Sequence, residues 1–285
     1  MLLDARTKLY FLLGNPVEHS LSPPMHNAAF ASLGLNCAYL ACPVDRGQIG
    51  TAVYGIRALA VAGANVTAPF KEEVIACLDS VSEQAALVRS VNTIVNRSGR
   101  LHGATTDGEG FYLFLRRVDP AYTTGQTVLV VGAGGAARAV AYTLAEKGAG
   151  EIIIANRSQP QGRALANLLT EQTPLRKSSY TALDGRNLAA VLPRCRLVVY
   201  SLPVDVPEFN EALAGLDGLE KNQILIDLRY KPEQTGVMKT FEQKGGHACN
   251  GLGMLVWQAV KSFQLFTGEE APVEVMQKAA GSGYL

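Results

Sequence analysis

Residues 127–157 read TVLVVGAGGAARAVAYTLAEKGAGEIIIANR. Positions 128–131 form a short apolar run rich in valine, which predicts a strand buried in a parallel sheet. The run leads directly into Gly132-Ala133-Gly134-Gly135-Ala136-Ala137, a G-x-G-x-x-A turn. In such a turn the first glycine allows the bend and the second lets a pyrophosphate approach the backbone. The small third position lets the helix lie close to the strand. The helix is predicted to run to about residue 147, where Gly148 stops it, and 151–155 is a second strand. A Gly-rich turn alone can be purely steric. Strand, turn, helix and strand in that order within ~30 residues is the context that dinucleotide binding needs. Gly132, Ala133, Gly134, Gly135 and Ala136 are therefore candidate phosphate contacts.

The end of the second strand bears on which dinucleotide. An NAD-binding unit usually carries Asp or Glu there, accepting hydrogen bonds from the ribose 2′-hydroxyl. This chain has Asn156-Arg157-Ser158. No carboxylate repels a 2′-phosphate, and the Arg157 guanidinium can pair with one and stack on adenine. The plain alternative is a solvated surface arginine. The reading favours NADP, with NAD possible.

The chain of 285 residues is long enough for two domains, and 48% hydrophobic with 18% charged is an ordinary soluble composition. A net charge of +1 gives no reason to expect nucleic acid or an acidic membrane as partner. The five cysteines (37, 42, 77, 195, 249) lack C-x-x-C spacing, which suggests free thiols in a reducing cytoplasm. The four histidines (19, 26, 102, 247) show no H-x-x-x-H pairing, so no metal site is expected. Neither a signal peptide nor an apolar run of membrane-spanning length is evident.

The residues before 127 also alternate between strand and helix patterns. Strands are expected at 9–13, 38–44, 91–95 and 101–104, with 65–67 extended. Helices are expected from Ser22, as N-cap with Pro23 following, to Gly34, then over 49–61, 71–78 and 110–118. After Arg157, strands at 196–200 and 224–228 precede helices at 252–266 and 272–279. The fold class is thus α/β with an N-terminal α/β domain and a Rossmann-type domain. Polar residues cluster where the early strands end: Ser20, Ser22, Thr67, Lys71, Asn92 and Asp107. Ligands of open α/β sheets bind outside the carboxyl ends of strands, so several of these residues are candidates for one cleft. Each alone also has a plain explanation, as a helix cap, a surface lysine or a partner of loop backbone.

Taken together, these residues resemble the shikimate dehydrogenase family, with its quinate/shikimate dehydrogenase relatives. The resemblance is carried by Gly14-Asn15-Pro16-Val17-Glu18-His19-Ser20-Leu21-Ser22-Pro23, Met25-His26-Asn27, Asn65-Val66-Thr67-Ala68-Pro69-Phe70-Lys71 and Val91-Asn92-Thr93. It continues through Thr106-Asp107-Gly108-Glu109-Gly110, the glycine turn, Asn156-Arg157-Ser158 and Gly251-Leu252-Gly253-Met254-Leu255-Val256-Trp257-Gln258. The resemblance implies a substrate domain over 1–107, a Rossmann domain over 108–250, and helices in 251–285 that return to the first domain. It implies reversible NADPH-dependent reduction of 3-dehydroshikimate to shikimate, a step toward chorismate and the aromatic amino acids. By position, Ser20, Ser22, Tyr39, Thr67, Asn92, Tyr230 and Gln258 would bind substrate, and Lys71 with Asp107 would be the catalytic pair. Asn156, Arg157, Ser158, Leu228 and Gly251 would join the glycine turn around the cofactor. The expected assembly is a monomer or homodimer whose partners are small molecules only.

Three positions depart from the family pattern. Thr105 stands where an asparagine is usual, Ser201-Leu202-Pro203 replaces an Asn-Ala/Thr-Thr loop, and the second basic residue after Asn156-Arg157 is delayed to Arg163. The second departure bears on how the nicotinamide half is held, and the third on strict NADP preference. The alternatives are a quinate/shikimate dehydrogenase using NAD or NADP, and a non-catalytic dinucleotide sensor. The sensor would be marked by loss of the lysine or aspartate, and both are present. Because the substrate residues lie mostly before 108 and the glycine turn follows it, Thr106-Asp107-Gly108 and Asn250-Gly251 are expected hinges.

Overall fold

The computed structural model describes residues 3–122 and 124–281. In chain order the elements begin β1 (Lys8–Gly14), α1 (Ser22–Ser32), β2 (Cys37–Pro43), α2 (Ile49–Ala58), β3 (Gly63–Val66), β4 (Ser80–Val81), α3 (Glu83–Val88), β5 (Thr93–Arg97), β6 (Arg100–Ala104) and α4 (Asp107–Val118). They continue with β7 (Thr127–Val131), α5 (Gly135–Glu146), β8 (Glu151–Asn156), α6 (Gln159–Gln172), β9 (Ser178–Ala182), α7 (Gly185–Val191), β10 (Leu197–Tyr200), α8 (Pro207–Ala214), β11 (Ile224–Asp227), α9 (Gly236–Gln243) and β12 (His247–Asn250). The chain closes with α10 (Leu252–Thr267) and α11 (Val273–Ala279). Two compact units result: the chain up to Val118 together with the chain from Gly253 onward, and Asp119–Leu252 between them.

The first unit holds a six-stranded sheet in the order β2-β1-β3-β5-β6-β4. Strands β2, β1 and β3 are parallel, while β5 runs antiparallel to both β3 and β6. Leu13, Val44, Ile49, Val53, Ile56, Val66, Phe70 and Ile94 build one core of this unit. Tyr10, Phe30, Phe263 and Phe266 make an aromatic cluster with ring centroids 4.9–5.4 Å apart, which draws α10 into the same unit. Helices α4 and α10 approach closely because each offers a glycine. A Cβ on Gly110 would lie 2.5 Å from the Gln258 backbone nitrogen, and one on Gly253 would lie 2.2 Å from the Phe114 ring.

The second unit is a fully parallel sheet in the order β12-β11-β10-β7-β8-β9. Chain order reverses between β7 and β10, whose ends are paired as Tyr200 with Val131. The central strands are buried on both faces, as the valine- and isoleucine-rich runs predict.

Some boundaries differ from the sequence-based expectation. Helix α1 has Leu21, not Ser22, as N-cap, with no side-chain cap bond. Ser20 Oγ accepts from Ser22 N at 3.2 Å instead, so Ser22 sits inside the first turn with its hydroxyl turned to Tyr39. Helix α4 starts at Asp107 instead of residue 110, and 71–78 contains a 3₁₀ helix over Glu73–Cys77. Helix α2 stops at Ala58 because Ala60 turns left-handed, at φ 51°, letting buried Val61 bond back to Ile56 O.

Candidate active site

Antiparallel pairing of β5 and β6 places Thr93 opposite Ala104. The residue entering β5, Asn92, therefore lies beside the residues leaving β6, and its backbone nitrogen donates to Ala104 O at 3.1 Å. The Asn92 side-chain oxygen accepts from Thr106 N at 2.8 Å. Its amide nitrogen reaches Thr106 Oγ1 at 2.8 Å, Asp107 Oδ1 at 2.9 Å and Gln258 Oε1 at 3.2 Å. The second carboxylate oxygen of Asp107 accepts from Lys71 Nζ at 2.6 Å. Asp107 is buried at the start of α4, while the Lys71 side chain keeps 20% exposure. Lys71, Asn92, Asp107 and Gln258 are thus drawn into one cluster from four separate stretches of chain, all within the first unit.

A second layer lies beneath them. Ser262, one turn after Gln258 on α10 and fully buried, donates to Gln258 O at 3.0 Å. Its hydroxyl also meets Asn65 Nδ2 at 2.9 Å, Thr93 Oγ1 at 2.8 Å and Thr106 Oγ1 at 3.2 Å. Asn65 Oδ1 accepts from Tyr39 OH at 2.8 Å. Tyr39 has no exposed surface, and burial pushes its phenol well above the ordinary range. Tyr39 therefore differs from the other predicted substrate residues. Its hydroxyl is committed to Asn65, under the site and not on its surface. Asn65, Thr93, Thr106 and Ser262 are not among the site residues expected from the sequence. Three of them fall inside the matched motifs, and the signal for Ser262 is a hydroxyl at i+4 from Gln258 in an otherwise apolar helical stripe. Ser20 and Thr67 are partly exposed, and Ser22 is buried. A Cβ on Gly14 would fall 2.2 Å from the Thr67 methyl, so glycine there admits the Thr67 side chain. The Thr105 hydroxyl is buried with no hydrogen-bond partner.

In the second unit, Gly132 adopts φ +109°, a conformation that favours glycine, and a Cβ there would meet Ser201 Oγ at 2.4 Å. Ala133 is buried behind the turn. Gly134 caps α5 with no side-chain bond, Gly135 begins the helix and Ala136 follows in its first turn. A Cβ on Gly134 would meet nothing within 4 Å, so the amino end of α5 opens onto free space where a phosphate can approach its N–H groups. At the end of β8 the Asn156 amide donates to Ser158 O at 3.0 Å, and Arg157 is exposed. The residues present fit an NADP molecule: an open phosphate cradle, and an arginine with no carboxylate at the strand end. Arg163 lies with its guanidinium 6.0 Å from the Tyr180 ring centroid. Leu228 and Gly251 pack together, since a Cβ on Gly251 would fall 2.2 Å from Leu228 O. Tyr230 is half-buried, with a phenol pKa raised by burial, and belongs to this unit, unlike the other predicted substrate residues. Arg229 is half-buried beside it. Burial opposes its charge, but Asp227 and Asp205 outweigh that and raise its pKa. Among the described residues, no cluster of three or more His, Cys, Asp or Glu could hold a metal, and no helix is long and apolar enough to cross a membrane.

Comparison with known proteins identifies the relatives of this chain. A family model for the shikimate dehydrogenase substrate binding domain matches residues 12–94. Models for shikimate / quinate 5-dehydrogenase and for the shikimate 5′-dehydrogenase C-terminal domain match residues 116–207 and 251–280. The shikimate dehydrogenase (NADP(+)) of Methanopyrus kandleri is 43% identical over 279 residues, covering 97% of this chain and 96% of that protein. The shikimate 5-dehydrogenase of Listeria monocytogenes, solved in complex with shikimate and NAD, is 32% identical with a TM-score of 0.85, covering 97% of both chains. The Thermus thermophilus enzyme, solved in complex with NADP(H) and shikimate, is 34% identical with a TM-score of 0.82, covering 96% of this chain and 98% of its own. The chain therefore belongs to the shikimate dehydrogenase family.

Proposed function

We propose that the protein is a cytoplasmic shikimate dehydrogenase that reduces 3-dehydroshikimate to shikimate with NADPH, reversibly, on the route to chorismate and the aromatic amino acids. The observation that carries this reading is the Lys71–Asp107 pair at 2.6 Å, bordered by the Asn92 amide and the Gln258 carbonyl. NADPH, when bound, supplies the hydride. The ketone oxygen then holds an electron pair and needs a proton. Lys71 carries that proton as its ammonium and delivers it to the oxygen, and in the reverse direction its neutral amine removes it. Asp107 holds Nζ in place. Asn92 fixes Asp107 in turn, and Gln258 offers an acceptor to a ring hydroxyl. Ser20, Ser22 and Thr67 supply hydroxyls suited to the substrate carboxylate and ring. Tyr230 is assigned to the substrate, and Leu228 and Gly251 to the cofactor. Arg157 reads the 2′-phosphate, with Asn156 and Ser158 shaping the strand end around it.

The test is steady-state kinetics with shikimate and quinate, each against NADP and NAD. The expected result is the highest kcat/KM for shikimate with NADP. A higher value for quinate or for NAD would overturn the substrate or the cofactor assignment respectively. Absence of turnover with all pairs would favour a sensor.

A further inference from the structure

Residues 201–206, the loop leaving β10, run beside the phosphate turn. Ser201 Oγ donates to Val131 O at 2.7 Å, and a Cβ on Gly132 would lie 3.2 Å from Leu202 Cδ2. In a doubly wound sheet the two mononucleotide halves lie on either side of the point where strand order reverses. β8 and Arg157 stand on the adenosine side, so β10, β11 and this loop serve the other half. Connecting loops are usually the mobile parts of a fold, but this one is tied along its length. The Tyr200 hydroxyl donates to Val204 O at 2.8 Å and accepts from Val206 N at 3.0 Å. Asp205 Oδ1 accepts from Arg229 Nη2 at 2.6 Å.

Arg229 is itself anchored. Its Nε lies 3.0 and 3.1 Å from the two oxygens of fully buried Asp227, the last residue of β11, and its Cζ lies 5.2 Å from the Tyr200 ring centroid. Asp227 Oδ2 also accepts from Thr235 Oγ1 at 2.9 Å, at the N-cap of α9. A Cβ on Gly236 would fall 2.4 Å from Asp205 Oδ2, so glycine at the start of α9 lets the carboxylate in. A chain of contacts from Asp205 through Arg229 and Asp227 to Thr235 thus joins the loop to the end of β11 and the start of α9. None of these groups has a part in the proton transfer proposed above.

We propose that Asp205 and Arg229 are positioning residues for the dinucleotide: they hold the 201–206 loop in its bound shape before the nicotinamide half arrives. This rests on the cofactor assignment above. A loop ordered in advance does not have to be ordered on association, so the pair acts on affinity for that half and leaves the adenosine half alone. A mere staple between β10 and β11 would influence both halves equally, or neither.

The test uses Asp205→Ala, because Arg229→Ala would leave Asp227 as an uncompensated buried charge. Titration calorimetry compares NADP with 2′,5′-ADP, which lacks the nicotinamide half, on the wild type and the variant. Thermal unfolding in parallel confirms that the variant is folded. NADP should weaken roughly three- to tenfold while 2′,5′-ADP holds within about twofold. Asp205→Asn, which keeps a hydrogen-bond acceptor for Arg229, should recover part of the loss. Unchanged NADP affinity, or equal weakening of both ligands, overturns the proposal. The same comparison with NAD against ADP reads the loop without the 2′-phosphate. Should the wild type prefer NAD, the cofactor assignment fails and this second pair still decides the role of Asp205.

Discussion

The Asn92 amide nitrogen carries two protons, yet it faces acceptors on Thr106 at 2.8 Å, Asp107 at 2.9 Å and Gln258 at 3.2 Å. The longest contact is the one most easily given up, so in the function proposed above the Gln258 carbonyl is the acceptor to turn toward a substrate hydroxyl. The nearby lysine is held by a single charged bond to a buried carboxylate, which suits a group that must present a proton in one direction. Replacing it tests that directly. Lys71→Ala should lower kcat by roughly two to four orders of magnitude with a much smaller change in KM. A variant retaining a tenth or so of wild-type turnover would remove Lys71 from the chemistry. At the other ligand, Arg157→Ala should raise KM for NADP roughly ten- to a hundredfold, the worth of a charge-assisted pair of about 1.5–3 kcal/mol, and leave KM for NAD nearly unchanged. Equal loss with both cofactors would mean that the guanidinium does not read the 2′-phosphate.

At the scale of elements, the site depends on how closely α4 and α10 approach. Asp107 opens the first helix and Gln258 rides on the second. Their separation is set by Gly110, where a Cβ would stand 2.5 Å from the Gln258 nitrogen and 2.7 Å from its Cα. At an open helical position Gly→Ala gains about 1 kcal/mol. Here backbone stands in the way, and overpacking of this kind costs about 1–3 kcal/mol. The clash should win. Gly110→Ala is expected to lose stability in denaturant unfolding and to raise KM for shikimate as Gln258 is displaced. A more stable variant with unaltered KM would show that the helices have slack. The glycine itself was visible in the matched motif, but its duty was not, because nothing local in Asp107-Gly108-Glu109-Gly110 says which helix will lie against it. The same holds for α1, where a serine followed by proline reads as an N-cap until Ser20 takes the first-turn N–H.

At the scale of the whole molecule, acid stability is coupled to His26. It is fully buried and stacks 4.4 Å from the Tyr39 ring, with Phe30, Phe263 and Phe266 also around it. Neither ring nitrogen has a hydrogen-bond partner, and burial pulls its pKa from the ordinary 6.5 down to about 3. In that window the unfolded chain binds the proton and the folded chain does not. The stability is therefore complete above the unfolded pKa and declines as pH falls through it, by up to about 1.4 kcal/mol per pH unit. Urea unfolding near pH 7 and pH 5 should show His26→Leu losing about 2 kcal/mol less than the wild type over that interval. Identical pH dependence in the two proteins would exclude this histidine. The sequence alone determined the parts that rest on local physics. The valine run and glycine turn specify strand, turn and helix, because backbone conformation and period are encoded residue by residue. Arg157 without a neighbouring carboxylate is equally local. Only tertiary structure decided that Ser262, near the end of the chain, meets Asn65, Thr93 and Thr106, and that Gln258 meets Asn92. It also decided that Tyr39 lies beneath the site with its hydroxyl on Asn65, and that Arg229 ties down the 201–206 loop. Those contacts join residues far apart in the chain, and a hydrogen bond across such a separation is chosen by packing, which no local pattern records.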